Sequence, residues 1–178
     1  CLESVIRYTD LKDKEVIVVD NGCTDDTAKY VYRKSIETSG RVRLIEDLKP
    51  LGYTKATNLG IKQAKGKFLI FLNNDTVLLE QTTDHWVKML IDPMIADEKI
   101  GVTGPLILND SSTKIPFVVF FCAATPKALV DKLGLLDETF SPGGCEDIDY
   151  CIKAQKAGYR LGIVPDDKLV LNHEHHVG

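Results

Sequence analysis

The sequence predicts an α/β protein built on a mostly parallel sheet, and three observations carry that prediction. Short apolar, β-branched runs stand at 15–20, 42–47 and 67–75. A helix-like segment separates each from the next. The first and third runs stop at small polar residues, Asp20-Asn21-Gly22 and Asn73-Asn74-Asp75. Strands that alternate with helices signal a parallel sheet covered by helices. In such sheets ligands bind beyond the carboxyl ends of the strands, which makes Asp20 and Asp75 site candidates on fold logic alone.

Each element follows from its residues. The run "EVIVVD" (15–20) is continuously apolar, as a strand buried on both faces should be. Asn21-Gly22 supplies a turn, Thr24 is the expected N-cap, and the helix that follows stops at Gly40. "VRLIED" (42–47) is the second strand. "TKATNLGIKQAKG" (54–66) carries Ala56, Leu59, Ile61 and Ala64 at near-helical spacing, and "KFLIFLNND" (67–75) is the third strand. Further on, "TTDHWVKMLID" predicts an amphipathic helix closed by Asp92-Pro93. "IGVTGPLIL" is strand-like, and "KIPFVVFFCAAT" (114–125) reads as one buried strand. Pro126 opens a helix that ends at Gly134. "CEDIDYCIKAQKAG" forms a helix with acids at its start and lysines at its end, matching the helix dipole. "YRLGIVP" and "KLVLNHEHH" are short strands.

Composition narrows the function classes. The 178 residues are 44% hydrophobic and 27% charged, and they suit one globular domain over 1–178. A net charge of −4 predicts no general attraction to nucleic acid. The longest apolar runs, such as "IPFVVFF", are too short to span a bilayer. None of the five cysteines forms a C-x-x-C pair, so they read as reduced thiols of a cytosolic protein.

Three constellations could carry chemistry. Asn73-Asn74-Asp75 is either an Asn/Asp turn or a set of oxygen ligands for a divalent cation that shares its shell with phosphates. Glu146, Asp147 and Asp149 exceed what helix capping needs. Adjacent helical residues point about 100° apart, so Glu146 and Asp147 divide their roles, and one of them can accept a proton from a substrate hydroxyl. In "NHEHH", His173 and His175 would share one face of an extended segment, either as metal ligands or as the polar tail of a strand.

Together, "EVIVVDNGCTDDT", "LGYTKATNLGIKQAKGKFLIFLNNDTVL", "LLDETFSPGGCEDIDYCIKAQKAGYRLGIVPD" and the terminal histidines occur in the order seen in glycosyltransferase family 2. The chain resembles its bacterial rhamnosyltransferase-like branch. The resemblance implies a GT-A-like (Rossmann-type) three-layer sandwich and inverting sugar transfer from a UDP- or dTDP-sugar. It implies a glycan, lipid-linked or cell-wall acceptor met at the inner face of the membrane, and so peripheral membrane contact by a cytoplasmic protein. Asp20 and Asn21 match positions at the nucleoside, and Asn58 a polar position on the donor side. Asn73, Asn74 and Asp75 match the D-x-D motif, with Asp75 as ligand of Mg²⁺ or Mn²⁺ and Asn74 near the ribose or the metal. Glu146 and Asp147 match the E-D motif, whose aspartate is the base. His173 or His175 matches a histidine of the metal or diphosphate site. The base and the metal should then lie on opposite sides of the sugar.

Three departures qualify the resemblance. The family's opening strand is absent before Cys1, which implies a truncated chain, or a strand supplied by another chain in an oligomer. Asparagine fills the first two D-x-D positions, which lowers the charge of the site. Lys153 stands where many relatives carry arginine, so a bidentate contact is lost. Two alternatives stay open: a catalytically degenerate module that binds nucleotide or glycan, and a nucleotidyltransferase.

Overall fold

The computed structural model describes residues 1–105, 107–109, 116–165 and 168–173. In chain order the elements begin with α1 (Leu2–Arg7), β1 (Val16–Asn21), α2 (Thr27–Glu37), β2 (Val42–Asp47) and α3 (Tyr53–Gln63). Next come β3 (Phe68–Leu72), β4 (Thr76–Leu78), α4 (His85–Ala96), β5 (Ile100–Gly104), β6 (Ile107–Asn109) and β7 (Pro116–Val118). The last are β8 (Cys122–Pro126), α5 (Lys127–Leu133), a 3-10 turn (Glu138–Phe140), α6 (Glu146–Lys156), β9 (Arg160–Ile163) and β10 (Leu171–His173). They divide into two compact units. The smaller comprises Leu11–Gly66 and Leu135–Glu146; the larger comprises Cys1–Asp10, Lys67–Gly134 and Asp147–Gly178.

In the smaller unit β1 and β2 pair in parallel, in register from Val16↔Val42 to Asn21↔Asp47. The helices α2 and α3 pack on these strands and bury Val31, Val42, Ala56 and Ile61. Burying each of the larger side chains, Val31, Val42 and Ile61, stabilises the unit by roughly 1.5–3 kcal/mol. The predicted turn after β1 is present. Gly22 has φ +79°, and a Cβ there would lie 2.7 Å from the Pro50 nitrogen, so the position requires glycine. The predicted cap is displaced. Asp20 Oδ1 accepts the Cys23 N–H at 2.8 Å, which prolongs the turn. The helix then starts at Thr27 with Asp26, not Thr24, as its N-cap.

The larger unit holds a four-stranded sheet in the order β3-β8-β5-β9. The strand β3 runs antiparallel to β8, from Phe68↔Pro126 to Leu72↔Cys122. The strand β5 is antiparallel to β8 and parallel to β9. The run 114–125 is not one strand: a turn at Phe120 and Phe121 separates β7 from β8. Phe120 is buried and stacks on Phe71, with ring centroids 5.0 Å apart. The apolar pattern is continuous because Phe117 and Val118 of the first strand, Phe120 of the turn and Cys122 to Thr125 of the second are all buried. The helix α4 does not stop at Asp92-Pro93 either. It runs through Pro93 to Ala96, and the buried Met94 anchors its last turn. Packing of this apolar face offsets the one hydrogen bond that proline removes.

A separate antiparallel pair, β4 and β10, sets His173 opposite Thr76, the residue after Asp75. This register positions the site of the larger unit. All five cysteines are free. Among the described residues no helix is long and apolar enough to cross a membrane.

Candidate active site

Two groups of predicted site residues form, one in each unit. In the smaller unit, Asp20 is buried at the end of β1 and its Oδ1 holds the Cys23 N–H. The same carboxylate takes a hydrogen bond from the Cys23 thiol, which pushes that thiol above its ordinary range. Asn21 Oδ1 accepts the Leu51 N–H at 2.6 Å and so holds the connection between β2 and α3.

That connection in turn holds the loop that leads into Glu146. The Tyr53 N–H donates to the Pro142 carbonyl at 2.5 Å, and the Ser141 hydroxyl donates to the Leu51 carbonyl at 3.1 Å. Gly52 has φ +78°, and a Cβ there would run into the Pro142 backbone. Asn58 is buried in α3. Its Oδ1 accepts the Leu136 N–H at 3.0 Å, and its Nδ2 donates to the Leu136 carbonyl at 2.9 Å and to Glu138 at 3.1 Å. Both ends of this amide are therefore engaged by the protein. Glu146 is buried, and its Oε2 accepts the Gly144 N–H at 2.5 Å.

In the larger unit, Asn73 to Thr76 form a turn in which the Thr76 N–H donates to the Asn73 carbonyl at 3.2 Å. Asn74 is exposed; Asn73 and Asp75 are half-buried. Asp75 Oδ1 lies 3.2 Å from His173 Nε2, both atoms are buried, and the Asp75 oxygen accepts no hydrogen bond among the described residues. His173 stacks face to face on Phe121, with ring centroids 4.2 Å apart and planes 11° from parallel. His175 and His176 lie outside the described residues.

Asp147 is half-buried near the start of α6, where its Oδ1 accepts the Ile148 N–H at 2.8 Å. Burial pushes the Cys151 thiol, one helical turn on, up to about 12; the Val118 N–H pulls it down and the Asp147 carboxylate adds to the rise. Asp149 pairs with Lys153 at 2.6 Å, which gives the lysine a partner within its own helix.

Asp75 and His173 pass a geometric test for a shared cation. Two adjacent ligand atoms of an octahedral ion with bonds of about 2.1 Å lie about 3 Å apart, and these two are 3.2 Å apart. A carboxylate with an imidazole suits Mn²⁺ or Mg²⁺ in part and Mn²⁺ better, because imidazole is a borderline-soft ligand. Among the described residues no group of three or more His, Cys, Asp or Glu gathers. The pair therefore supplies part of a shell, as for a cation completed by substrate phosphates.

The model of Glycosyl transferase family 2 matches residues 1–134 of the 178. This chain belongs to that family. A curated relative, the poly-beta-1,6-N-acetyl-D-glucosamine synthase of Staphylococcus aureus, is 33% identical over 101 residues, which cover 56% of this chain and 23% of the relative. Among solved structures, the mannosyltransferase PcManGT from Pyrobaculum calidifontis, in complex with GDP-Man and Mn²⁺, superposes with a TM-score of 0.75 at 22% identity. It covers 93% of this chain and 50% of that one. GalNAc-T7 with UDP, GalNAc and Mn²⁺ superposes with a TM-score of 0.80 at 19% identity, covering 97% and 39%. The chain thus spans under a quarter of that curated relative and at most half of these two structures. The fold of this family 2 chain is the GT-A fold.

Two features of the site escape the sequence patterns. One is the clamp of Leu51, Gly52 and Tyr53 on Ser141 and Pro142; its only trace is the glycine in "LGY" and the "SPGG" loop. The other is Phe121, hidden within an apolar run that reads as core.

Proposed function

We propose that this chain carries the catalytic core of an inverting glycosyltransferase, with residues 1–178 acting as one GT-A-like domain. Its donor is a UDP- or dTDP-sugar, its transferred group a hexose or deoxyhexose as in the rhamnosyltransferase-like branch, and its acceptor a glycan, a lipid-linked sugar or a wall polymer. Such acceptors are met at the inner membrane face. The observation that carries the reading is the Asp75–His173 pair at the end of the strand whose motif matches D-x-D. Support comes from family membership and from the Mn²⁺ and nucleotide named for similar structures.

Each residue has a stated task. Asp20 and Asn21, at the end of β1, face the nucleoside. Asp75 and His173 hold Mg²⁺ or Mn²⁺, with Asn74 beside the ribose or the metal and His175 as a further candidate ligand. The cation, when bound, stabilises the negative charge that develops on the leaving diphosphate. Asp147 takes the proton from the acceptor hydroxyl as that oxygen forms its bond to the anomeric carbon. The bond from that carbon to the diphosphate oxygen breaks with inversion, and its electron pair leaves with the nucleoside diphosphate. Glu146, held by the Gly144 N–H, fixes the loop that presents the acceptor. Asn58 acts through the same loop by holding Leu136.

Calorimetric titration of UDP and dTDP with and without Mn²⁺ tests the reading, followed by a transfer assay with labelled donors. The expected result is metal-dependent binding of one nucleotide. Equal affinities with and without Mn²⁺ would remove the metal task of Asp75 and His173. Metal-dependent binding with no transfer to any acceptor would favour the degenerate binding module.

A further inference from the structure

We propose that Phe121 is the positioning residue of the Asp75–His173 corner, holding the imidazole as a ligand by stacking on its face. The proposal rests on the reading of that corner as a cation site. The sequence places Phe121 in an apolar run, where a core role is the default. Its neighbour Phe120 takes that role, buried against Phe71 and Tyr150. Phe121 itself is half-buried and points its ring elsewhere.

Two independent contacts define what it does. Its ring lies against the His173 imidazole at 4.2 Å between centroids and 11° between planes. Its carbonyl accepts the Asn73 N–H at 2.8 Å, next to the turn that bears Asp75. One residue therefore touches both sides of the corner: the strand end that carries the carboxylate and the strand that carries the imidazole. Its place is fixed by pairing, because β8 starts at the next residue with Cys122 opposite Leu72.

The physical consequence concerns rotation. A histidine at the end of a three-residue strand can turn about χ1 and χ2. A flat partner at stacking distance restricts χ2 to orientations that keep the rings parallel, and in that orientation Nε2 faces Asp75 Oδ1. Groups that orient a ligating histidine typically change metal affinity about 10–100-fold when lost. Here an aromatic face contributes to that orientation, and leucine, of similar volume but not flat, would fill the space without enforcing the angle.

The test compares Phe121→Leu with Phe121→Tyr and with Asp75→Ala. Mn²⁺ binding is measured by calorimetry in the presence of UDP or dTDP, thermal melting is recorded for each variant, and the His173 ring protons are followed by NMR. The expectation is about a tenfold loss of Mn²⁺ affinity in Phe121→Leu, with a melting temperature close to that of the parent. The upfield ring-current displacement of the His173 protons should vanish in Phe121→Leu, and Phe121→Tyr should restore both. Unchanged Mn²⁺ affinity in Phe121→Leu, while Asp75→Ala abolishes it, would overturn this inference alone. If Asp75→Ala also binds Mn²⁺ like the parent, the cation site itself is wrong. A loss in Phe121→Leu that Phe121→Tyr does not rescue, or that tracks a fall in melting temperature, would make Phe121 structural only.

Discussion

In the smaller unit, side chains hold the backbone: at the end of β1 Asp20 accepts the Cys23 N–H and Asn21 the Leu51 N–H, and in α3 Asn58 accepts the Leu136 N–H through Oδ1 and donates to the Leu136 carbonyl through Nδ2. At the end of β3 the backbone holds itself. The Asn73 N–H goes to the Phe121 carbonyl and the Thr76 N–H to the Asn73 carbonyl, which leaves the Asp75 carboxylate facing His173. Two strand ends with similar residues thus use them differently. Where a side chain closes a turn, its loss should cost stability. Where the backbone closes the turn, the side chain is available to a ligand, and its loss should cost function.

The largest effect expected is on the functional side. Asp147 accepts the Ile148 N–H through its Oδ1, a local bond that asparagine can also accept. Asp147→Asn should lower kcat by at least about a hundredfold, the range for loss of a general base, with donor binding and melting temperature nearly unchanged. Steady-state transfer kinetics beside calorimetry check it, and equal loss of binding and turnover would take the base role away from Asp147.

Asn58→Ala is the matching probe of the bracing side. It strips partners from the buried N–H and carbonyl of Leu136, at a cost of about 2 kcal/mol. For a chain of this size that lowers the melting temperature by roughly 4–8 °C. Nucleotide affinity, measured below the transition, should hold. A strong loss of affinity in a variant that melts normally would return Asn58 to direct contact with the donor, as the family resemblance implies.

Asp75→Ala should show the reverse pattern. Nucleotide binding in Mn²⁺ should weaken by about tenfold, some 1.4 kcal/mol, and binding without metal should not change. The melting temperature should stay, because no backbone group depends on this carboxylate among the described residues. A clear drop in stability would erase the distinction between the two strand ends.

Much of this arrangement was legible in the sequence because it is local. The strand β2 covers Val42–Asp47 as its apolar pattern predicts, and β1 ends in the turn that Asn21-Gly22 announces. The motif order led to the family and to the GT-A fold. What stayed hidden depends on partners distant along the chain. An apolar run such as 68–72 does not say which strand it will pair with, and it pairs with β8, fifty residues on, rather than with a near neighbour. The split of 114–125 was hidden for a related reason, since a turn made of Phe120 and Phe121 keeps the apolar composition of the strands it joins. The cap of α2 lies at Asp26 rather than Thr24, after a turn that Asp20 prolongs by accepting the Cys23 N–H.

The smallest effect tests whether bracing at the other end of β1 is electrostatic. Glu15 accepts the Lys65 N–H at 2.8 Å and pairs with Arg43 at 2.6 Å, tying the start of β1 to β2 and to the chain beyond α3. Burial alone would raise its pKa, but the Lys65 N–H and the Arg43 guanidinium outweigh it, and the carboxyl sits below its ordinary 4.5. A depressed acid stabilises the fold above its unfolded pKa and loses that contribution as pH falls through the folded one. Glu15→Gln should therefore melt about 1–3 °C below the parent near neutral pH, the scale of a partly exposed ion pair. The gap should close on acidification to below the folded pKa, where both chains are neutral at this position. A gap of constant size across that range would mean that Glu15 braces β1 by hydrogen-bond geometry rather than by charge, as Asn58 braces Leu136.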